Sequence, residues 1–99
     1  MNWGLSERDI ALLRATFAAH PNVQRAVLYG SRAMGTYRPG SDIDLTLEGD
    51  LHLQDINRLL LDIDDLLLPY QVDLSAFQDI DNPALVDHIQ REGVEFWRR

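Results

Sequence analysis

Gly30-Ser31, ten further residues and then Asp42-Ile43-Asp44 form the stretch whose residue types and spacing can do chemistry. Side chains on a strand alternate between its faces, so along 42–47 the acids Asp42 and Asp44 share one side with Thr46. Ile43, Leu45 and Leu47 take the other. Same-side neighbours lie roughly 6–7 Å apart along a strand. At an effective dielectric near 20, two negative charges about 5–6 Å apart repel by roughly 3 kcal/mol. A divalent cation turns that repulsion into attraction, and Mg²⁺ characteristically takes one or two carboxylates together with phosphate oxygens. Just ahead, Val27-Leu28-Tyr29 reads as a buried strand ending at Gly30. Gly30-Ser31 then turns the chain into a short helical excursion that Pro39-Gly40 closes. Backbone N–H groups at a strand-to-helix turn favour an anion. A phosphate subsite facing a metal subsite across one turn points to transfer of part of a nucleotide. The plainer alternative is a surface strand with solvated aspartates behind an ordinary Pro-Gly turn.

The rest of the chain supplies elements that can hold this stretch. Ser6 reads as the N-cap of a helix running to about Ala19, with Ile10, Leu13 and Phe17 at helical spacing. His20-Pro21 stops it, and a strand follows over Gln24–Tyr29. After the turn Glu48-Gly49-Asp50, the stripe Leu53, Ile56, Leu59, Leu60, Ile63, Leu66 and Leu67 predicts a helix of nearly four turns reaching to Pro69. Asp55, Asp62, Asp64 and Asp65 lie away from most of that stripe and read as a solvated face. Tyr70–Ser75 is the next strand. Val72 and Leu74 point one way and Asp73 the other, so Asp73 can join the side of Asp42 and Asp44. Asn82-Pro83 opens the last helix, Leu85, Val86 and Ile89 give it an inner side, and Gly93 ends it. Val94–Trp97 alternates like a short edge strand. His20 and His52 read as helix-end or surface residues. The fold class expected is α/β (α+β), a small mixed β-sheet flanked by helices, in one domain spanning 1–99 with a single site at the sheet's edge.

Gly30-Ser31 followed at this spacing by Asp42-Ile43-Asp44 resembles the signature of the nucleotidyltransferase superfamily that includes DNA polymerase beta. The whole chain resembles its minimal nucleotidyltransferase (MNT) members, small partners of helical HEPN proteins that act as antitoxins. The resemblance implies a polymerase beta-like palm fold and makes Asp73 a third carboxylate. It further implies two Mg²⁺ ions held by Asp42, Asp44 and Asp73, with ATP as substrate. Gly30 and Ser31 would hold its β and γ phosphates, and Arg32 or Arg38 would neutralise phosphate charge. Tyr37 is a candidate to stack near the nucleotide. The activity implied is transfer of AMP to a hydroxyl, a tyrosine's, on a HEPN-type toxin, making the chain an enzyme and the antitoxin of a type VII-like pair. Two other readings stay open: a small-molecule or nucleic-acid acceptor presented by a helical partner subunit, and a binding antitoxin that does no catalysis.

Composition narrows the setting. The chain has 99 residues, a formal charge of −7, nine arginines and no lysine or cysteine. So acidic a surface repels phosphate backbones, and direct nucleic-acid binding is not expected. Disulfides and thiolate metal sites are excluded. No apolar run is long enough for a membrane span and no leader is recognisable, so a cytoplasmic protein is expected. Ninety-nine residues leave little chain for an acceptor pocket, which points to a hetero-oligomer whose other member brings the acceptor.

Overall fold

The computed structural model describes residues 2–99, and its elements follow the hydrophobic periodicity closely. Helix α1 (Glu7–Ala18) starts at Ser6, whose hydroxyl accepts from the Asp9 N–H at 3.1 Å, one of the amides a helix start leaves without an internal partner. Strand β1 (Val23–Tyr29), the short helix α2 (Ser31–Met34) and strand β2 (Ile43–Gly49) follow, then α3 (Leu53–Asp64) and β3 (Val72–Ala76). A 3₁₀ turn (Phe77–Asp79), α4 (Pro83–Glu92) and β4 (Val94–Arg98) complete the order. Asn82 caps α4 by accepting from the Ala84 and Leu85 N–H groups, with Pro83 at the first helical position. Gly93 closes α4 without left-handed backbone. Glycine is needed there for space, because a Cβ would run into the Ile89 carbonyl and the Val27 side chain.

The four strands form one mixed sheet in the order β3-β2-β1-β4. β1 pairs antiparallel with β2 and with β4, whereas β2 and β3 run parallel. Helices α1 and α3 cover one face, burying Leu13, Phe17, Leu59 and Ile63 against Leu28, Leu45, Leu47 and Phe96. Helix α4 covers part of the other, where Ile89 meets Val27 and Tyr29. Fully burying one such aliphatic side chain contributes about 1.5–3 kcal/mol, so the two-sided core fixes which face each strand residue takes.

Three expectations about the elements change. The α3 stripe was expected to run on to Leu67, but the helix stops at Asp64. The Leu66 and Leu67 amides bond to the carbonyls three residues back, at 3.0 and 3.1 Å, the tightened last turn common at helix ends. Leu67 then enters left-handed backbone at φ 54 and stands 88% exposed. Only Leu59 and Ile63 of the stripe are buried, while Leu53, Leu60 and Leu61 face outward. β3 starts at Val72, since Tyr70 packs over Arg32 instead of pairing in the sheet. β2 starts at Ile43, which leaves Asp42 just ahead of the strand.

Candidate nucleotide and metal site

The site candidates gather where the C-terminal end of β1 meets the N-terminal ends of β2 and β3. Gly30 leaves β1 with φ 76 and ψ −157, opening α2 as its N-cap. Left-handed backbone favours glycine, and a Cβ here would also strike the Asp44 carboxylate. The turn and the acid are therefore in direct proximity. Ser31 begins α2, which closes on Gly35 at φ 79, and the Thr36 N–H donates to the Ser31 carbonyl at 3.0 Å.

Asp44 is flanked in register by Tyr29 on β1 and by Asp73 on β3. Register partners on neighbouring strands lie about 4.8 Å apart and present their side chains to the same face. That places Asp44 and Asp73 side by side. Asp73 and Asp42 are exposed, and Asp44 is half-buried. The Asp44 carboxyl is accordingly held above the usual carboxylate value, first by burial, then by the charges of Asp73 and Asp42, with His88 pulling the other way. Tyr29, 8% exposed, has its hydroxyl pushed up by burial and then by Asp73 and Asp44. The acids thus converge without closing a cage: among the described residues, no three His, Cys, Asp or Glu side chains stand ready to enclose an ion. An open half-site of this kind suits Mg²⁺, which keeps waters and phosphate oxygens in its shell.

Below the acids the same face is dry. Thr46, expected alongside Asp42 and Asp44, is fully buried and accepts from the Ser75 hydroxyl at 3.0 Å. Only the end of the polar face is open, which confines the chemistry to the strand tips.

Arg32 is not placed with the acids. It is 1% exposed, and its Nε and Nη2 both donate to the Ser41 carbonyl, at 3.1 and 2.8 Å. Further donations reach the Trp3 carbonyl at 3.1 Å and the Pro39 carbonyl at 3.4 Å. Tyr37 and Tyr70 lie over the guanidinium at 5.2 and 4.7 Å. Four of its N–H donors go to backbone, so it staples the loop before Asp42. Tyr37 belongs to the same staple, and Arg38 is exposed on the loop. His20 bonds to Asp62 at 2.7 Å, joining α1 to α3. The His52 N–H donates to Asp55 at 2.8 Å at the start of α3.

Two neighbours of the site escaped the sequence reading. From sequence, Tyr29 reads only as the last apolar residue of β1. His88 projects from α4 to within 3.2 Å of the Gly30 N–H. Its one sequence signal is its place three residues after Leu85, on the helix's inner side.

A glycine turn after one strand, facing paired acids at the tips of the next two, defines a nucleotidyltransferase of the polymerase beta type. The family model "Polymerase beta, Nucleotidyltransferase" matches residues 11–99, and the chain belongs to that family. Among solved structures, a toxin–antitoxin complex with AMP-PNP superposes with TM-score 0.73 at 23% identity, covering 96% of this chain and 75% of that one. A tri-AMPylated Shewanella oneidensis HEPN toxin in complex with MNT antitoxin gives a TM-score of 0.70 at 17% identity, covering 96% and 74%. A structure described as a minimal nucleotidyltransferase gives 0.57 at 29% identity, covering 91% and 98%. No match was found among curated proteins. No helix among the described residues is long and apolar enough to cross a membrane.

Proposed function

We propose that this chain is a Mg²⁺-dependent nucleotidyltransferase that moves AMP from ATP to a hydroxyl, a tyrosine's, on a HEPN-type toxin in the cytoplasm, and thereby serves as its antitoxin. The observation that carries this reading is the register pair Asp44–Asp73 beside the Gly30–Ser31 turn. The acceptor is supported by the fold's likeness to a complex that holds an AMPylated HEPN toxin.

Asp42, Asp44 and Asp73 are the residues that would hold two Mg²⁺ ions, which when bound supply charge stabilisation to the attacking and leaving oxygens. The Gly30–Ser31 turn orients the triphosphate through backbone N–H groups and the Ser31 hydroxyl. Asp73, exposed at the strand tip, takes the proton of the incoming hydroxyl. The hydroxyl oxygen bonds to the α phosphorus, the bond to the β-phosphate oxygen breaks, and pyrophosphate leaves. Each AMP adds bulk and negative charge to the toxin.

The test is intact-mass measurement of a HEPN-type protein, sought in the open reading frame next to this chain's, after incubation with this chain, ATP and Mg²⁺. A gain of one or more AMP units supports the reading. An inhibited but unmodified toxin replaces it with stoichiometric blocking.

A further inference from the structure

The Gly30 amide already has a partner inside the protein. It donates to His88 Nε2, and the two residues lie 58 positions apart in the chain. A ring nitrogen that accepts carries no proton, so the neutral imidazole here bears its hydrogen on Nδ1. The His88 ring stands edge-on to Tyr29 with centroids 6.2 Å apart. Tyr29 is in turn the register partner of Asp44. His88 therefore sits on the acids' side of the sheet, between α4 and the glycine turn.

A phosphate oxygen and an acceptor nitrogen make the same demand on one N–H, and they cannot both be satisfied by it. We propose that His88 is a positioning residue of the nucleotide site, holding the Gly30 amide before nucleotide binds and surrendering it to a triphosphate oxygen. This rests on the nucleotide reading above. The imidazole is then an internal competitor: it keeps the turn in shape before binding and weakens nucleotide affinity by the hydrogen bond that must be broken.

Calorimetric titration of the whole chain with a non-hydrolysable ATP analogue and Mg²⁺ tests this on three proteins. His88→Ala removes the competing acceptor, and its affinity rises about two- to tenfold over wild type. His88→Gln offers an amide oxygen that can accept from Gly30, and its affinity returns close to wild type. Hydrogen exchange of the Gly30 amide in nucleotide-free protein is faster in His88→Ala and slowed again in His88→Gln, which lost packing alone would not produce. Should His88→Ala fail to fold, His88→Phe keeps a ring without the acceptor and must bind tighter than wild type. Equal or weaker binding by the acceptor-free variant, with wild type still binding, overturns the role of His88 alone. No binding by any of the proteins defeats the nucleotide reading itself.

Discussion

Arg32→Met separates two roles for the arginine of the signature helix. Methionine keeps most of the aliphatic stem while removing every donor. The carbonyls of Trp3, Pro39 and Ser41 then lose the buried guanidinium that donates to them, at about 1 kcal/mol each. The two tyrosine faces over the guanidinium add about 0.5 kcal/mol apiece. The total is about 4 kcal/mol, a large part of what a domain of this size has in reserve. For a chain of this length that lowers Tm by about 15–30 °C, measurable by scanning calorimetry on metal-free protein. Nucleotide affinity, compared well below the variant's Tm, falls much less than tenfold. A variant that melts within a few degrees of wild type but binds ATP tenfold more weakly would refute the staple and restore Arg32 as a phosphate ligand.

Asp44→Asn abolishes transfer yet raises Tm in metal-free buffer at pH 7. Because folding lifts the Asp44 pKa, the folded state binds the proton more tightly, and stability falls as pH rises through the raised value. The variant's advantage therefore fades as pH drops below about 4, the ordinary aspartate value, where the carboxyl becomes protonated in both states; an advantage that persists well below that value contradicts the cause given. Gly30→Ala forces a methyl toward Asp44 from left-handed backbone, so it loses nucleotide binding and stability together. Ser31→Leu weakens ATP binding sharply at little cost in Tm, and wild-type binding itself drops in EDTA. Binding in EDTA equal to that with Mg²⁺ would remove the metal from the site.

How much could be read from sequence depended on how far each contact reaches. Asp44 stands two residues from Asp42 in a run whose alternation fixes its face. The same period on β3 only allows Asp73 to share that face, and it is the family resemblance that assigns it there; β2 and β3 bring Asp44 and Asp73 into register. His88 was invisible because its contact with Gly30 depends on how α4 lies across the sheet, which no local pattern encodes. Arg32 shows the opposite limit. Its residue type suits phosphate, whereas its actual partners, Trp3, Pro39, Ser41 and two tyrosines, converge only when the loop folds back. The overrun of α3 has a local cause: the leucine periodicity continues past Asp64, but the left-handed turn at Leu67 breaks the helix it implies.

Strand β4 gives the fold a timing constraint. It occupies residues 94–98, yet it pairs with β1, an interior strand made some seventy residues earlier. A ribosome must therefore release those residues before β1 acquires its second neighbour, and until then the Gly30 turn hangs from a strand with one open flank. Chains arrested before Val94 should be readily cut by protease around residues 23–31, and those extended past Arg98 should resist. Protection on both would show that the remaining three strands assemble unaided during synthesis.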